Sequence, residues 1–386
     1  MIVEQVSLAD FRNYVRADLA LAAGPTVLVG RNGQGKTNLA EAIVFLSSVG
    51  SHRVSADAPL VREGADAAIV RARLAHGQRR VQLEVQINRQ GSNRARVNGA
   101  AIRTSELPRY AQVVLFAPED LQIVRSDPSA RRRFADALLV QRSPRTAGVL
   151  ADYDRVLRQR NALLKSARAR GVKGEGLATL DVWDEKLVAL GAEIVDARAA
   201  LTEELAEPLA RAYAGIAGAD HDPSLEWALS VRGADPEEDA AGPRVEPASA
   251  GSTEELFRAA LSAARAAELD RGVTLVGPHR DDLVIRIKGL PVRGYASHGE
   301  SWSAALALRL ASAELLRALS PLGDPILVLD DVFAELDADR RARLADLAGA
   351  YEQTIVTAAV EEDVPAALRA RTVRIEAGTI RESGDD

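Results

Sequence analysis

The segment Gly30-Arg31-Asn32-Gly33-Gln34-Gly35-Lys36-Thr37 fits the pattern G-x-x-x-x-G-K-[ST], and few octapeptides restrict a fold as strongly. The apolar run Thr26-Val27-Leu28-Val29 before it reads as a buried strand. Asn38-Leu39-Ala40-Glu41-Ala42-Ile43 after it carries helix formers. Glycines let such a loop turn so that several N–H groups converge on one anion, and the helix N-terminus adds partial positive charge. The loop from Gly30 through Asn38 is therefore expected to wrap the phosphates of a nucleotide. Lys36 would reach the β- and γ-phosphates, and the Thr37 hydroxyl would hold Mg²⁺.

A second half of such a site stands near the other end of the chain. Ile326-Leu327-Val328-Leu329 is a continuous apolar run ending in Asp330-Asp331. It fits a parallel strand buried on both faces, whose C-terminal end is where open α/β sheets place ligands. Asp330 is expected to bind Mg²⁺. Asp331, by strand alternation, should point elsewhere and orient the attacking water. Ser297-His298-Gly299-Glu300 opens a long helix from Ser301 to Leu319. Ser297 and Glu300 make a capping box. Ser297 and Gly299 also fit the Ser-x-Gly signature of ABC-type ATPases, in which the helix end closes over a nucleotide held by a second copy. Both readings use the same helix end, so they are compatible.

Composition excludes other chemistries. The chain has no cysteine, hence no disulfide and no thiolate nucleophile or metal site, and its five His are scattered without ligand spacing. No run of about 18 apolar residues lacks a charge, and the start shows no signal-peptide pattern, so a cytoplasmic protein without membrane spans is expected. A formal charge of −6 argues against a chain basic throughout but leaves room for local nucleic-acid patches.

In chain order, residues 1–23 alternate as a strand pair. Arg12 and Asn13 in its bend are either close to the nucleotide or a polar hairpin tip. Residues 67–104 read as an antiparallel meander, with Val81, Leu83, Val85 and Ile87 in strict alternation and Asn98-Gly99 as a turn. Val113–Phe116 is a further buried strand. Asp127-Pro128 starts a helix, followed by Arg131, Arg132 and Arg133, where cations oppose the helix dipole. The basic run continues through Arg142, Arg145, Arg155, Arg158, Arg160, Lys165, Arg168 and Arg170, as either a solvated helix face or a phosphate-contacting surface. Leu150, Tyr153, Leu157 and Leu164, then Trp183, Leu187, Leu190, Ile194, Ala197 and Leu201, predict an antiparallel helical hairpin with arms of about 20 residues, roughly 30 Å. Residues 233–251 are acidic, proline-bearing and of low complexity, and predict a disordered loop. Val273–Val276 and Val284–Ile287 return to strand character, and Thr354–Thr357 looks like a strand.

Taken together, the chain resembles the RecF family of bacterial recombination-repair ATPases, which are related to SMC proteins. The resemblance spans nearly the whole chain. It rests on Leu8-Ala9-Asp10-Phe11-Arg12-Asn13-Tyr14, the glycine-rich loop, Phe116-Ala117-Pro118-Glu119-Asp120-Leu121, Arg132-Arg133-Phe134-Ala135-Asp136, Gly277-Pro278-His279-Arg280-Asp281-Asp282, Tyr295-Ala296-Ser297-His298-Gly299-Glu300 and Leu329-Asp330-Asp331-Val332-Phe333-Ala334-Glu335-Leu336-Asp337. It implies an α/β ABC-type ATPase head, a mixed-sheet lobe plus a parallel-sheet core (1–120 and 270–386), with a helical arm domain (121–269). It also implies ATP-dependent dimerisation, binding to DNA where single strand meets duplex, and partnership with RecO and RecR in loading recombinase.

Asp331 stands where ABC ATPases often carry Glu, which fits slow, switch-like hydrolysis. The loop after Phe116 offers no glutamine of the kind ABC heads supply, and no His follows Thr357. The alternative function is the nucleotide-binding subunit of an ABC transporter, against which the basic arm and the absent glutamine weigh.

Overall fold

The computed structural model describes residues 1–54, 56–171, 178–233, 251–321 and 323–382. The acidic segment expected to be a loop lies, apart from its end residues, outside them. The chain divides into two compact units: Met1–Asp120, Arg211–Asp220 and Ala305–Asp386 form the first, Leu121–Ala210 and His221–Ala304 the second.

The first unit holds two six-stranded sheets. β1 (Ile2–Phe11), β2 (Tyr14–Ala20), β4 (Ala67–His76), β5 (Arg79–Asn88), β6 (Arg94–Val97) and β7 (Ala100–Ile102) form an antiparallel sheet in the order β2-β1-β4-β5-β6-β7. The expected meander is present. Its alternation buries Val3, Val6, Leu8, Val70, Leu74, Leu83, Val85 and Ile87 on one face and leaves a polar face opposite. The second sheet has the order β15-β14-β3-β13-β12-β8. It is built from β3 (Gly24–Val29), β8 (Val113–Phe116), β12 (Ile326–Asp330), β13 (Gln353–Ala358), β14 (Thr372–Glu376) and β15 (Thr379–Glu382). All neighbours are parallel except β14 and β15. Helix α1 (Lys36–Ser48) is buried along most of its length and shares one core with both sheets. Burial all round explains why its sequence shows no polar stripe.

The second unit is mainly helical: α2 (Leu121–Arg125), α3 (Pro128–Arg142), α4 (Thr146–Ala169), most of α5 (Ala178–Ala217) and α6 (Thr253–Arg271). A small sheet of β9 (Ser224–Ala228), β10 (Asp282–Ile287) and β11 (Leu290–Pro291) accompanies them, followed by the single turn α7 (Val292–Tyr295) and the start of α8 (His298–Leu319). The remaining helix, α9 (Ala338–Gly349), belongs to the first unit.

Four expectations change here. The hairpin arms are unequal, 24 residues in α4 and 40 in α5. The seam is also not a two-helix one: Phe257 and Leu261 of α6 join Tyr153, Val156, Leu187 and Ile194 in one cluster. Gly191 makes room for this, since a Cβ there would stand 2.3 Å from the Phe257 ring. Second, Val273–Val276 is not a strand. Side chains take its backbone donors: Thr274 N–H donates to Asn161 Oδ1 (2.8 Å), Leu275 N–H to Glu268 Oε1 (2.8 Å) and Gly277 N–H to Ser230 Oγ (2.9 Å). Third, residues 270–304, which the sequence reading gave to the head, group with the arm, because β10 pairs with β9 and Asp282 holds Arg131.

The fourth change concerns the basic run. Arg131, at a dipole-opposed position, is buried and gives a two-pronged ion pair to Asp282 (2.6 and 2.9 Å). Arg160 is fully buried between Glu268 and Asp184 (2.6 and 2.7 Å). Arg132 donates to the Asp281 carbonyl (2.7 Å), and Arg142, Arg145 and Arg155 pair with Glu204, Glu193 and Asp152. Arg131 and Arg160 are therefore internal scaffolding, and the buried Asp282 explains why arginine sits against the dipole, while Arg133, Arg145, Arg155, Arg158, Lys165, Arg168 and Arg170 are exposed as a charged helix face would be.

Candidate functional site

The parallel sheet sets the geometry. β3 delivers the glycine-rich loop, β12 delivers Asp330, and β13 lies between them with Thr357 level with both Leu28 and Asp330. At the three C-terminal strand ends, Thr37 Oγ1 donates to Asp330 Oδ1 (3.0 Å) and Thr357 Oγ1 donates to the same oxygen (2.6 Å). The two motifs are thus joined by a hydrogen bond across 293 residues of sequence.

The loop is shaped for close approach. Gly35 has φ +118°, and a Cβ there would lie 2.8 Å from both Asn13 Nδ2 and the Tyr14 hydroxyl; at Gly30 it would lie 2.3 Å from the Ile375 carbonyl oxygen. Neither position admits another residue without displacing backbone or the Asn13–Tyr14 turn. Tyr14 donates to the Gly35 carbonyl (3.0 Å) and Asn13 to that of Gln34 (3.0 Å), while Gln34 Oε1 accepts from Ala377 N–H (2.6 Å). Arg31, Asn32 and Gly33 at the crest are exposed. Lys36 is 3% exposed and its ammonium folds back to the Arg31 carbonyl (3.5 Å). Helix α1 begins with no side-chain cap.

The carboxylates are desolvated. Burial pushes the Asp330 carboxyl up to about 6, against the hydrogen bond from Thr357 and with a further rise from Asp331. Burial also raises Asp331, which Lys36 opposes and Glu119 reinforces. A hydroxyl and one buried carboxylate fit Mg²⁺, which takes one or two protein oxygens and completes its shell with phosphate and water. Thr37 and Asp330 are the residues that would hold it, and no cluster of three or more metal-binding side chains occurs among the described residues. Strand alternation does not reach Asp331. β12 ends at Asp330, and Asp331 is left-handed (φ +51°), with its N–H donating to Thr357 Oγ1 (3.0 Å).

Arg12 and Asn13 differ from each other. Asn13 braces the loop and receives Asn38 Nδ2 (2.8 Å). Arg12 gives a two-pronged ion pair to Glu41 of α1 (2.8 and 2.7 Å), a buried carboxylate that also accepts from Ser51 and lies 3.7 Å from Arg53. Arg53 in turn donates to Asn38 Oδ1 (3.0 Å). Sequence reading missed Glu41, Thr357 and Glu119. Thr357 was findable only from the strand order, and Glu41 looked like any helix-forming residue.

Ser297 and Gly299 belong to the second unit. Ser297 is exposed. The capping box is formed: Ser297 N–H donates to Glu300 Oε2 (2.9 Å) and Glu300 N–H to Ser297 Oγ (3.3 Å). Lys288 donates to Glu300 Oε1 (2.8 Å), and with the Ser297 bonds this draws the carboxyl down to about 2. Arg125 Nη2 donates to His298 Nδ1 (3.1 Å) beside it.

With this geometry in place, comparison with known proteins is decisive. The model of the RecF/RecN/SMC N terminal domain matches residues 2–381. The chain belongs to this family. Within it, the DNA replication and repair protein RecF of Clavibacter sepedonicus is 60% identical over 99% of this chain and 95% of its own length. That of Leifsonia xyli subsp. xyli is 56% identical over 99% and 100%. Among solved structures, the recombination mediator protein RecF with ATP, from the RecFOR pathway, aligns with TM-score 0.84 at 29% identity, covering 98% of this chain and 97% of that one. An Smc head domain with a coiled coil and joint from Pyrococcus yayanosii aligns with TM-score 0.54 at 15% identity and shares the fold. The RecF-type fold, an α/β ATPase head with a helical arm, is therefore the fold of this chain. No helix among the described residues is long and apolar enough to cross a membrane.

Proposed function

We propose that this chain is an ATP-dependent DNA-binding protein of recombinational repair, acting in the cytoplasm. ATP binds along Gly30–Asn38 with Lys36 on its terminal phosphates, and Mg²⁺ is held by Thr37 and Asp330. Ser297 and Gly299 of a second copy close over the trapped nucleotide, giving a head-to-tail dimer on DNA where single strand meets duplex. Asp331 orders the attacking water, and slow hydrolysis releases the dimer. RecO and RecR are the partners with which it loads recombinase.

The observation that carries this reading is the hydrogen bond from Thr37 to Asp330 beside the buried Lys36, which assembles the phosphate and metal groups of an ATPase from opposite ends of the chain. The exposure of Ser297 supports the second half, since a closing helix end has to be reachable. Charge stabilisation then comes from Lys36, from the magnesium ion that ATP brings, and from the second copy's helix end.

Size-exclusion chromatography tests it. Wild type is expected to shift to a dimer with ATP and Mg²⁺. Lys36→Ala should stay a folded monomer, its nucleotide affinity lowered by about 100-fold through loss of a desolvated, charge-assisted contact. ATP-dependent dimerisation that survives Lys36→Ala overturns the mechanism.

A further inference from the structure

The antiparallel sheet of the first unit has a face that its own core does not need to be basic. Across all six strands runs one register row: Asp18 opposite Ser7, Ser7 opposite Arg71, Arg71 opposite Glu84, Glu84 opposite Arg96, and Arg96 opposite Ala101. The rows to either side add Arg73 opposite Gln82, and Gln86 opposite Arg94. With Arg16 and Arg80, six exposed arginines stand on this face. Among the described residues, the carboxylates paired with them are three. Glu4 is shared by Arg73 and Arg80, Glu84 is shared by Arg71 and Arg96, and Asp18 takes Arg16. Six cations against three anions leave an excess of three positive charges, on a chain whose net charge is −6.

Folding does not call for this. The buried face alone fixes strand register, and any polar residue serves on the other side. Like charges gathered across strands cost stability rather than add it. The carboxylates order the guanidiniums in pairs without neutralising them.

We infer that this sheet face is a docking surface for the phosphate backbone of duplex DNA, on the duplex side of the junction. The inference rests on the DNA-binding reading above and says where the duplex lies. Arginine forks match phosphate oxygens two at a time, which lysine does not. Arg71 and Arg96, two strands apart, stand about 10 Å from each other, so the array spans several phosphates of one groove edge. Among the described residues no aromatic side chain lies on this face to stack an unpaired base, so it reads backbone and not sequence. The arm differs: Arg131 and Arg160 are buried in ion pairs, and the exposed arginines of its basic run lie along α3 and α4 and not in register across strands.

The test is fluorescence anisotropy of a blunt labelled duplex with ATP and Mg²⁺ over a salt series. It compares wild type with the combined variant Arg71→Ser, Arg73→Ser, Arg94→Ser and Arg96→Ser. The serine variant is expected to lose at least about 30-fold in affinity at low salt, and its slope of log K against log salt should fall by about 3 to 4. The same four positions as lysine should keep the slope. ATP-dependent dimerisation of the serine variant reports that it is folded. A folded serine variant with wild-type slope and affinity, as expected if the face takes an acidic protein instead, overturns the inference while leaving DNA binding intact. A wild type that binds no duplex at any salt overturns the functional reading beneath it.

Discussion

Two helix N-termini of this chain both read in the sequence as anion sites and are built in opposite ways. At the start of α1, Gly35 caps without a side chain, and its left-handed backbone leaves the first N–H groups unclaimed beside the buried Lys36. At the start of α8, Ser297 and Glu300 satisfy each other, and Lys288 secures the acid. An open, desolvated helix end is a phosphate cradle whose stability depends on a ligand. A self-capped, exposed end is stable alone and can meet an anion carried by another molecule. In the proposed dimer the first end is the half-site that binds and the second the half-site that senses.

The largest expected effect is at the open end. Gly35→Ala places a methyl group 2.8 Å from Asn13 and Tyr14 at φ +118°. Strain of about 1–3 kcal/mol and a displaced loop are expected to remove ATP binding in calorimetry. Retained affinity would break the comparison, because α1 would then not be the cradle.

The capped end separates the two roles of Ser297. Ser297→Asp keeps a capping oxygen, so the melting temperature should hardly move, yet it sets a carboxylate toward any triphosphate presented by a second copy. ATP-dependent dimerisation is expected to disappear. Ser297→Ala should cost about 1 kcal/mol of stability and weaken the dimer less. A dimer indifferent to Ser297→Asp would show that this end is only a cap.

The smallest effect belongs to Glu300, whose carboxyl is drawn from 4.5 to about 2 by Lys288 first and Ser297 second. Because the folded value is depressed, its contribution is full above pH 4.5 and is lost as pH falls toward 2. Glu300→Gln keeps the cap geometry, so at neutral pH it should cost only about 0.5 kcal/mol, given the exposure of the pair. Denaturant midpoints of wild type and variant are expected to converge between pH 5 and pH 2. Parallel curves would remove Glu300 from the argument.

Reading the chain alone went far where chemistry is local. The glycine-rich loop, the apolar run into Asp330 and the box at Ser297 each carry their meaning within a few residues, and the meander showed through strict alternation. It failed where partners are distant. Val273–Val276 has the composition of a strand but yields its donors to Asn161, Glu268 and Ser230. The arginines after Pro128 looked like a surface, and Asp282, 151 residues away, claims one of them for the interior. The even alternation of α5 gave no sign of the third helix that covers it.

Sequence by itself determined that this chain carries a glycine-rich strand–loop–helix turn of the phosphate-binding type, because glycines, a lysine and a hydroxyl at fixed spacing are covalent facts. Only the tertiary structure decided which groups share that site. The strand order sets β13 between β3 and β12, so that Thr357 and Thr37 converge on one oxygen of Asp330. It also decided which arginines face water. Burial and ion pairing depend on where distant segments of backbone come to rest, and no local pattern encodes that.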